Sequence, residues 1–168
     1  MKLETDRLTL IPAGAGKFDD IYKVFTNEFV RKFLCDDTIL SKDQVQSFIY
    51  TSDKMFIENN YGLWLLYTKD TNAMIGLSGL WSFFEENQPQ LLYALLPEYT
   101  KNGYAKEASL KIIEYSFNQL GFSYLDASCD APNIESHKVA LTLGMKKLKE
   151  EIIDNKPIIF YRIKKNEI

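Results

Sequence analysis

LLYALLPEYTKNGYAKEA, residues 91–108, passes from one kind of backbone to another within a few positions. Leu91 to Leu96 is an apolar run of strand length. Pro97 has no N–H to give a ladder and holds φ fixed, so the strand ends there. Asn102 and Gly103 are turn formers, and Gly103 also lets a second backbone or a ligand come close. From Tyr104 the period is helical. Ala105, Ala108, Ile112, Phe117 and Leu120 share one face, Lys106, Glu107, Lys111 and Glu114 lie mainly on the other, and Gly121 stands where a helix C-terminal glycine belongs. A helix that opens out of a loop in this way aims unpaired N–H groups and the positive end of its dipole at whatever occupies the loop, which makes the loop a potential seat for phosphate. Neither G-x-x-x-x-G-K-S/T nor G-x-G-x-x-G is present, so there is no P-loop and no Rossmann fingerprint.

Upstream, Leu3 to Ile11 alternates apolar and polar residues up to Pro12, as a half-buried strand does. Phe18, Ile21 and Phe25 stand at helical spacing, and Phe29 to Leu34 reads as a further turn. Ser41 with Gln44 forms a capping box for a helix whose face is Val45, Phe48, Ile49, Ser52 and Phe56, and which Asn59, Asn60 and Gly62 stop. Gly62 to Thr68 and Ala73 to Phe84 then read as a hairpin, which Gln90 to Leu96 extends into an antiparallel meander. Downstream, Ser123 to Asp130 is a strand and Asn133 to Leu143 a helix between Pro132 and Gly144. Met145 to Ile153 and Pro157 to Lys165 are two final strands. This order predicts an α+β fold in which helices cover a mixed sheet, with a helix linking two strands that run parallel at its centre. No repeat, linker or low-complexity tract divides the chain, so residues 1–168 are read as a single domain.

Composition narrows the classes. With 168 residues, 46% of them hydrophobic and 14% aromatic, the chain can build a proper core. A net charge of −3 argues against a broad nucleic-acid footprint. The N-terminus MKLETDRL carries charges where a secretory signal needs apolar residues. The longest mostly apolar run, Ala73 to Phe84, falls short of the about 20 residues of a membrane span. Cys35 and Cys129 match no metal spacing and read as free thiols of a cytoplasmic protein.

PEYTKNGYAKEA resembles the pyrophosphate-binding motif of the GNAT acetyltransferases, Q/R-x-x-G-x-G/A, with Thr100, Gly103 and Ala105 at the marked positions. Thr100 departs from the pattern, which removes a side-chain contact and leaves the backbone cradle. The opening ETDRLTLIP looks like the start of the branch that includes the RimJ/RimL-type ribosomal-protein N-acetyltransferases, and NEFVRKFL resembles the segment that follows it. NIESHKVALTLGM resembles that branch's N-x-x-S helix closing on G-F/M, with Asn133, Ser136, Gly144 and Met145 in register. The resemblance covers nearly the whole chain. It implies the GNAT fold: a central, mostly antiparallel seven-stranded sheet with a splayed parallel central pair and about four helices. It also implies direct acetyl transfer from acetyl-CoA, without a metal, to a primary amine, either a protein N-terminal α-amine or a small amine. A homodimer is left open, and the competing reading is a non-catalytic CoA-binding module of the same fold.

The resemblance further implies roles for residues. The cofactor-binding set is Leu95, Leu96, Thr100, Lys101, Asn102, Gly103, Tyr104, Ala105, Asn133 and Ser136. Backbone N–H groups from Thr100 to Ala105 would face the pyrophosphate, with Lys101 adding charge beside them. Leu95 and Leu96 would offer backbone groups to the pantetheine arm, an N–H near Leu95 would face the thioester oxygen, and Asn133 would hydrogen-bond the arm. Ser136 is the catalytic candidate, placed to stabilise or protonate the thiolate. Many family members carry a tyrosine acid later on this helix, but Ala140 stands at that position. His137 reads as exposed surface. Glu85, Glu86, Glu150, Glu151 and Asp154 are base candidates, each as readily a solvated carboxylate. An α-amine with a pKa of about 8 loses its proton easily near neutral pH, whereas a lysine at about 10.4 must find roughly 4 to 5 kcal/mol, so a site without a strong base leans towards α-amines. Trp64, Trp81, Phe83, Phe84, Tyr93 and Tyr161 read first as core, with a few as acceptor-pocket wall.

Overall fold

The computed structural model describes residues 1–84 and 86–168. Its elements in chain order are β1 (Leu3–Glu4), β2 (Leu8–Pro12), α1 (Phe18–Thr26), α2 (Glu28–Leu34), α3 (Lys42–Asn59), β3 (Leu63–Thr68) and β4 (Met74–Trp81). There follow β5 (Gln90–Leu95), α4 (Tyr104–Asn118), β6 (Tyr124–Asp130), α5 (Ile134–Thr142), β7 (Lys146–Ile153) and β8 (Lys156–Lys164). The α+β architecture expected from the sequence is present. The strands are divided into two sheets, β1-β2-β3-β4-β5 and β6-β8-β7, with every ladder antiparallel. The single seven-stranded sheet is thus replaced by sheets of five and three strands, because the pair expected at its centre, β5 and β6, lies side by side without a ladder.

Two cores explain how the sheet is clothed. Leu91 and Leu95 of β5 pack with Ala108, Ile112 and Ile113 of α4 and with Ala140 of α5, while Leu96 packs with Val24 of α1, Val30 of α2 and Ile49 of α3. The alternation along β5 sends successive side chains to opposite faces, each fully buried Leu or Ile stabilising the fold by about 1.5–3 kcal/mol. Helices α4 and α5 therefore cover one face and α1, α2 and α3 the other.

Local chemistry sets the helix starts. The Ser41 capping box forms as read: Gln44 N donates to Ser41 Oγ at 3.2 Å and Ser41 N to Gln44 Oε1 at 2.8 Å. Ser52 Oγ then accepts from Leu63 N at 2.9 Å and pins α3 to β3. Phe29 to Leu34, expected as a turn, belongs to a full helix, because Asn27 Oδ1 accepts from Phe29 N and Val30 N and caps it. Among the described residues no helix is long and apolar enough to cross a membrane.

Candidate active site

The break between the sheets leaves backbone groups of β5 without a strand partner. Leu96 N donates to Ile75 O at 2.9 Å, which fixes the parity of the β4–β5 ladder. Ala94, like Leu96, turns its backbone groups to β4, so Tyr93 and Leu95 turn theirs to the side where β6 lies unpaired. A cavity of about 900 Å³ occupies this opening, lined by Phe33 and Leu34 of α2, by residues 91–95, by Tyr104 and Ala105 of α4, by Ser128, Cys129 and Asp130 of β6, and by Ser136 and Val139 of α5. Its walls come from both faces of the molecule, so it runs through the gap between β5 and β6. Leu95 lines it. Leu96 does not: it is 1% exposed in the other core, its N–H is held by Ile75 and its carbonyl accepts from Tyr99 N. The expectation that Leu96 offers backbone groups to a ligand is thereby corrected.

At one end of the cavity is the start of α4. Gly103 takes φ +79°, which only glycine adopts at low cost, and Lys101 takes φ +63°. The first intrahelical bond is Glu107 N to Gly103 O at 3.0 Å, and no side chain caps the helix. The N–H groups of Gly103, Tyr104, Ala105 and Lys106 have no acceptor among the described residues, and all four residues line the cavity, as Thr100 and Lys101 do. Those donors suit the diphosphate of a CoA thioester. Two details depart from the expected cradle. Thr100 N is held by Pro97 O at 3.3 Å, and Asn102 lies outside the cavity, its Nδ2 donating to Thr100 O at 3.0 Å. Asn102 thus braces the loop from behind.

A second brace comes from the far end of the sequence. The Glu107 carboxylate accepts from Thr5 Oγ1, from Arg7 N at 2.9 Å and from Arg7 Nε at 2.6 Å. Arg7 Nη1 also donates to Asn102 O at 3.1 Å, and the guanidinium lies 4.5 Å from the centre of the Tyr104 ring. Burial pushes the Glu107 carboxyl up, but the bonds from Thr5 and Arg7 and the Arg7 charge outweigh it and hold the group below its ordinary value.

The opposite wall is the start of α5. Asn133 Oδ1 accepts from Ser136 N at 3.3 Å, which caps the helix and leaves the Asn133 amide NH2 at the cavity. Ser136 lines the cavity, and its hydroxyl has no hydrogen bond among the described residues. Tyr93 OH donates to Ser136 O at 2.9 Å and ties this turn to β5. Ala140 is 1% exposed in the core. His137, expected at the surface, is half-buried instead: Nε2 is 2.9 Å from Ala131 O and so carries the proton, leaving Nδ1 to accept from Tyr161 OH at 2.8 Å. Cys129 lies 3.4 Å from the same Nδ1, and burial, with the Asp130 charge, pushes its thiol up to about 12.

The base candidates separate. Glu85 lies outside the described residues. Glu86 accepts from Gln90 Nε2 at 2.9 Å away from the cavity. Glu150 and Glu151 are exposed on β7, each 2.9 Å from a lysine, Lys147 and Lys149. Asp154 does line the cavity, together with three carboxylates that sequence reasoning missed, Asp36, Asp130 and Glu135, the last paired with Lys138 at 3.1 Å. None carries a local motif. Asp36 follows α2 and is held at the cavity by Lys156, 120 residues away, at 2.5 Å.

The acetyltransferase (GNAT) domain family model matches residues 7–146. A relative in Bacillus subtilis (strain 168), the uncharacterized N-acetyltransferase YoaA, is 29% identical over 146 residues, 86% of this chain and 82% of its own length. Among solved structures, a GNAT-family acetyltransferase from Bacillus anthracis superposes with a TM-score of 0.82 at 18% identity, covering 99% of this chain and 100% of that one. The ribosomal alpha-N-protein acetyltransferase RimL, in complex with coenzyme A, superposes with a TM-score of 0.81 at 12% identity, covering 98% of each chain.

Proposed function

The chain belongs to the GNAT acetyltransferase family and is an acetyl-CoA-dependent N-acetyltransferase, and from this premise we propose that it passes the acetyl group directly to a primary amine while both substrates are bound. The acceptor is a protein N-terminal α-amine, as in the RimJ/RimL branch that ETDRLTLIP and NIESHKVALTLGM resemble, or a small amine. One observation carries the reading: the cavity crosses the gap between β5 and β6 and ends on the uncapped start of α4.

Gly103, Tyr104, Ala105 and Lys106 donate their backbone N–H groups to the diphosphate, and the Lys101 ammonium adds charge beside them. Leu95 offers the backbone groups that β6 leaves unpaired, its N–H facing the oxygen on which negative charge builds as the amine adds. The Asn133 amide holds the pantetheine arm. Ser136 Oγ hydrogen-bonds the sulfur and steadies the thiolate as the C–S bond breaks. The half-buried free thiols of Cys35 and Cys129 suit a reducing cytoplasm.

Titration calorimetry with acetyl-CoA, followed by a thiol-release assay over a panel of primary amines, tests this. Binding with thiol release for at least one amine is expected. Binding with no release for any amine would leave a CoA-binding module in place of an enzyme.

A further inference from the structure

The cavity has a second half, away from the start of α4, with a different chemistry. Phe29 and Phe33 of α2 and Phe83 and Phe84 after β4 give it an aromatic wall, and Phe29 and Phe84 are 51% and 37% exposed although they line a cavity. Into this half come the carboxylates of Asp36, Asp130 and Asp154. That of Asp36 is taken up by Lys156. That of Asp130, at the end of β6 and three residues before Asn133, has no hydrogen bond and no ion pair among the described residues.

The titratable groups that line the cavity on the Asp130 side are Cys129 on its own strand, Asp36 and Lys32 from the α2 side, Lys156 and Asp154 from the β7–β8 turn, and Glu135 and Lys138 of α5, which pair with each other at 3.1 Å; His137 turns its ring to Ala131 and Tyr161. Burial raises the Asp130 carboxyl above its ordinary value, Lys156 pulls it down and Asp36 adds to the rise. A carboxylate so placed is a better proton acceptor than an exposed one.

We propose that this half of the cavity is the acceptor site, that it takes a primary ammonium carried on an apolar, aromatic body, and that Asp130 removes the proton which blocks attack. The inference rests on the acetyl-transfer reading above and names its substrate class. In the balanced step, the ammonium gives one proton to the Asp130 carboxylate. The freed nitrogen lone pair forms the C–N bond as the C–S bond breaks, and the second nitrogen proton ends on the thiolate. Asp130 then returns its proton to solvent. The aromatic wall fits an apolar acceptor body and offers little to the further ammonium groups of a polyamine, since Asp36 is already neutralised by Lys156 and Asp154 alone is left beside Asp130 without an ion pair among the described residues.

The test measures thiol release from acetyl-CoA with phenylethylamine, with a short peptide whose only amine is an N-terminal phenylalanine, and with spermidine. At least one aromatic amine is expected to exceed spermidine about tenfold in kcat/KM, and the better of the two distinguishes a small amine from a chain terminus as the source. Asp130→Asn should lower kcat/KM for that amine by about 10²-fold and remove the low-pH limb of the rate profile, while calorimetry shows acetyl-CoA binding unchanged and Asp130→Glu recovers part of the rate. Phe84→Ala should raise KM for the aromatic amine and leave that for spermidine alone. Preference for spermidine, or full activity with an unaltered pH profile in Asp130→Asn, would overturn the proposal while acetyl transfer stands. No thiol release with any of the three amines would instead take the underlying reading down with it.

Discussion

Arg7 and Glu107 lie 100 residues apart and meet where the phosphate seat begins. A carboxylate within the first turns of a helix is favourable for the helix and unfavourable for an anion arriving at the same end. Arg7 neutralises it and ties the loop carbonyl of Asn102 at the same time. Arg7→Ala should weaken acetyl-CoA binding by on the order of tenfold, the low end for charge-assisted bonds that are half exposed. Turnover of acetyl-pantetheine, which lacks the diphosphate, should be unaffected. The same pair sets an acid limit: because the Glu107 carboxyl is held low, its tie is whole above the ordinary glutamate pKa near 4.3 and is lost as pH falls through the lower folded value, so acetyl-CoA affinity measured by calorimetry should hold down to about pH 4. Asp130 has the opposite sign. A raised carboxyl stabilises the fold only below its ordinary pKa and the benefit is lost as pH rises through the raised value, so Asp130→Asn should raise Tm at neutral pH even as it slows the reaction. Neither the Arg7–Glu107 pair nor the role of Asp130 could be read from the sequence, since Arg7 and Glu107 each pass for solvated charges and Asp130 for the last residue of a strand.

Elements were legible where their own residues fix them. Pro97, Gly103 and the apolar stripe of α4 announce the strand, loop and helix from local rules alone, and the Ser41 box does the same for α3. Helix α2 was read too short, although Asn27 as a cap and Glu28 in the first turn were present to mark it, because seven residues give too little periodicity. The opening beside β5 has a hidden support in β4. Gly76 takes φ +153°, and a Cβ there would lie 2.2 Å from Ala94 O and 2.8 Å from Leu95 Cα. Gly76→Ala must therefore push β5 towards the gap, with a Tm drop of roughly 3 to 10 °C and weaker acetyl-CoA binding. Gly121→Ala is the control. Its Cβ would meet nothing within 4 Å, so only the left-handed backbone resists, and it should lose stability with cofactor affinity intact.

At the scale of the molecule, the site is the place where the sheet fails to close. An antiparallel meander and a separate three-stranded sheet are each complete in themselves, and the chain meets the unpaired edges between them with a ligand-sized cavity. The apolar pattern foretells the order of strands, whereas the splay of the central pair came only with the family resemblance, because a ladder and a splayed pair draw on the same apolar residues. The consequence is measurable amide by amide. In the free protein the N–H groups of Tyr93 and Leu95 should exchange with solvent much faster than those of Ala94 and Leu96, an alternation that an ordinary interior strand would not give. Saturation with acetyl-CoA should slow Leu95 and the amides of residues 103–106 together, since the same ligand bridges them. At a concentration a hundred times Kd it should also stabilise the whole fold by about 2.7 kcal/mol, a Tm rise of roughly 5 to 10 °C. Uniform protection along β5 without ligand would mean that β6 pairs with it in solution, and the opening on which acetyl-CoA binding depends would be closed.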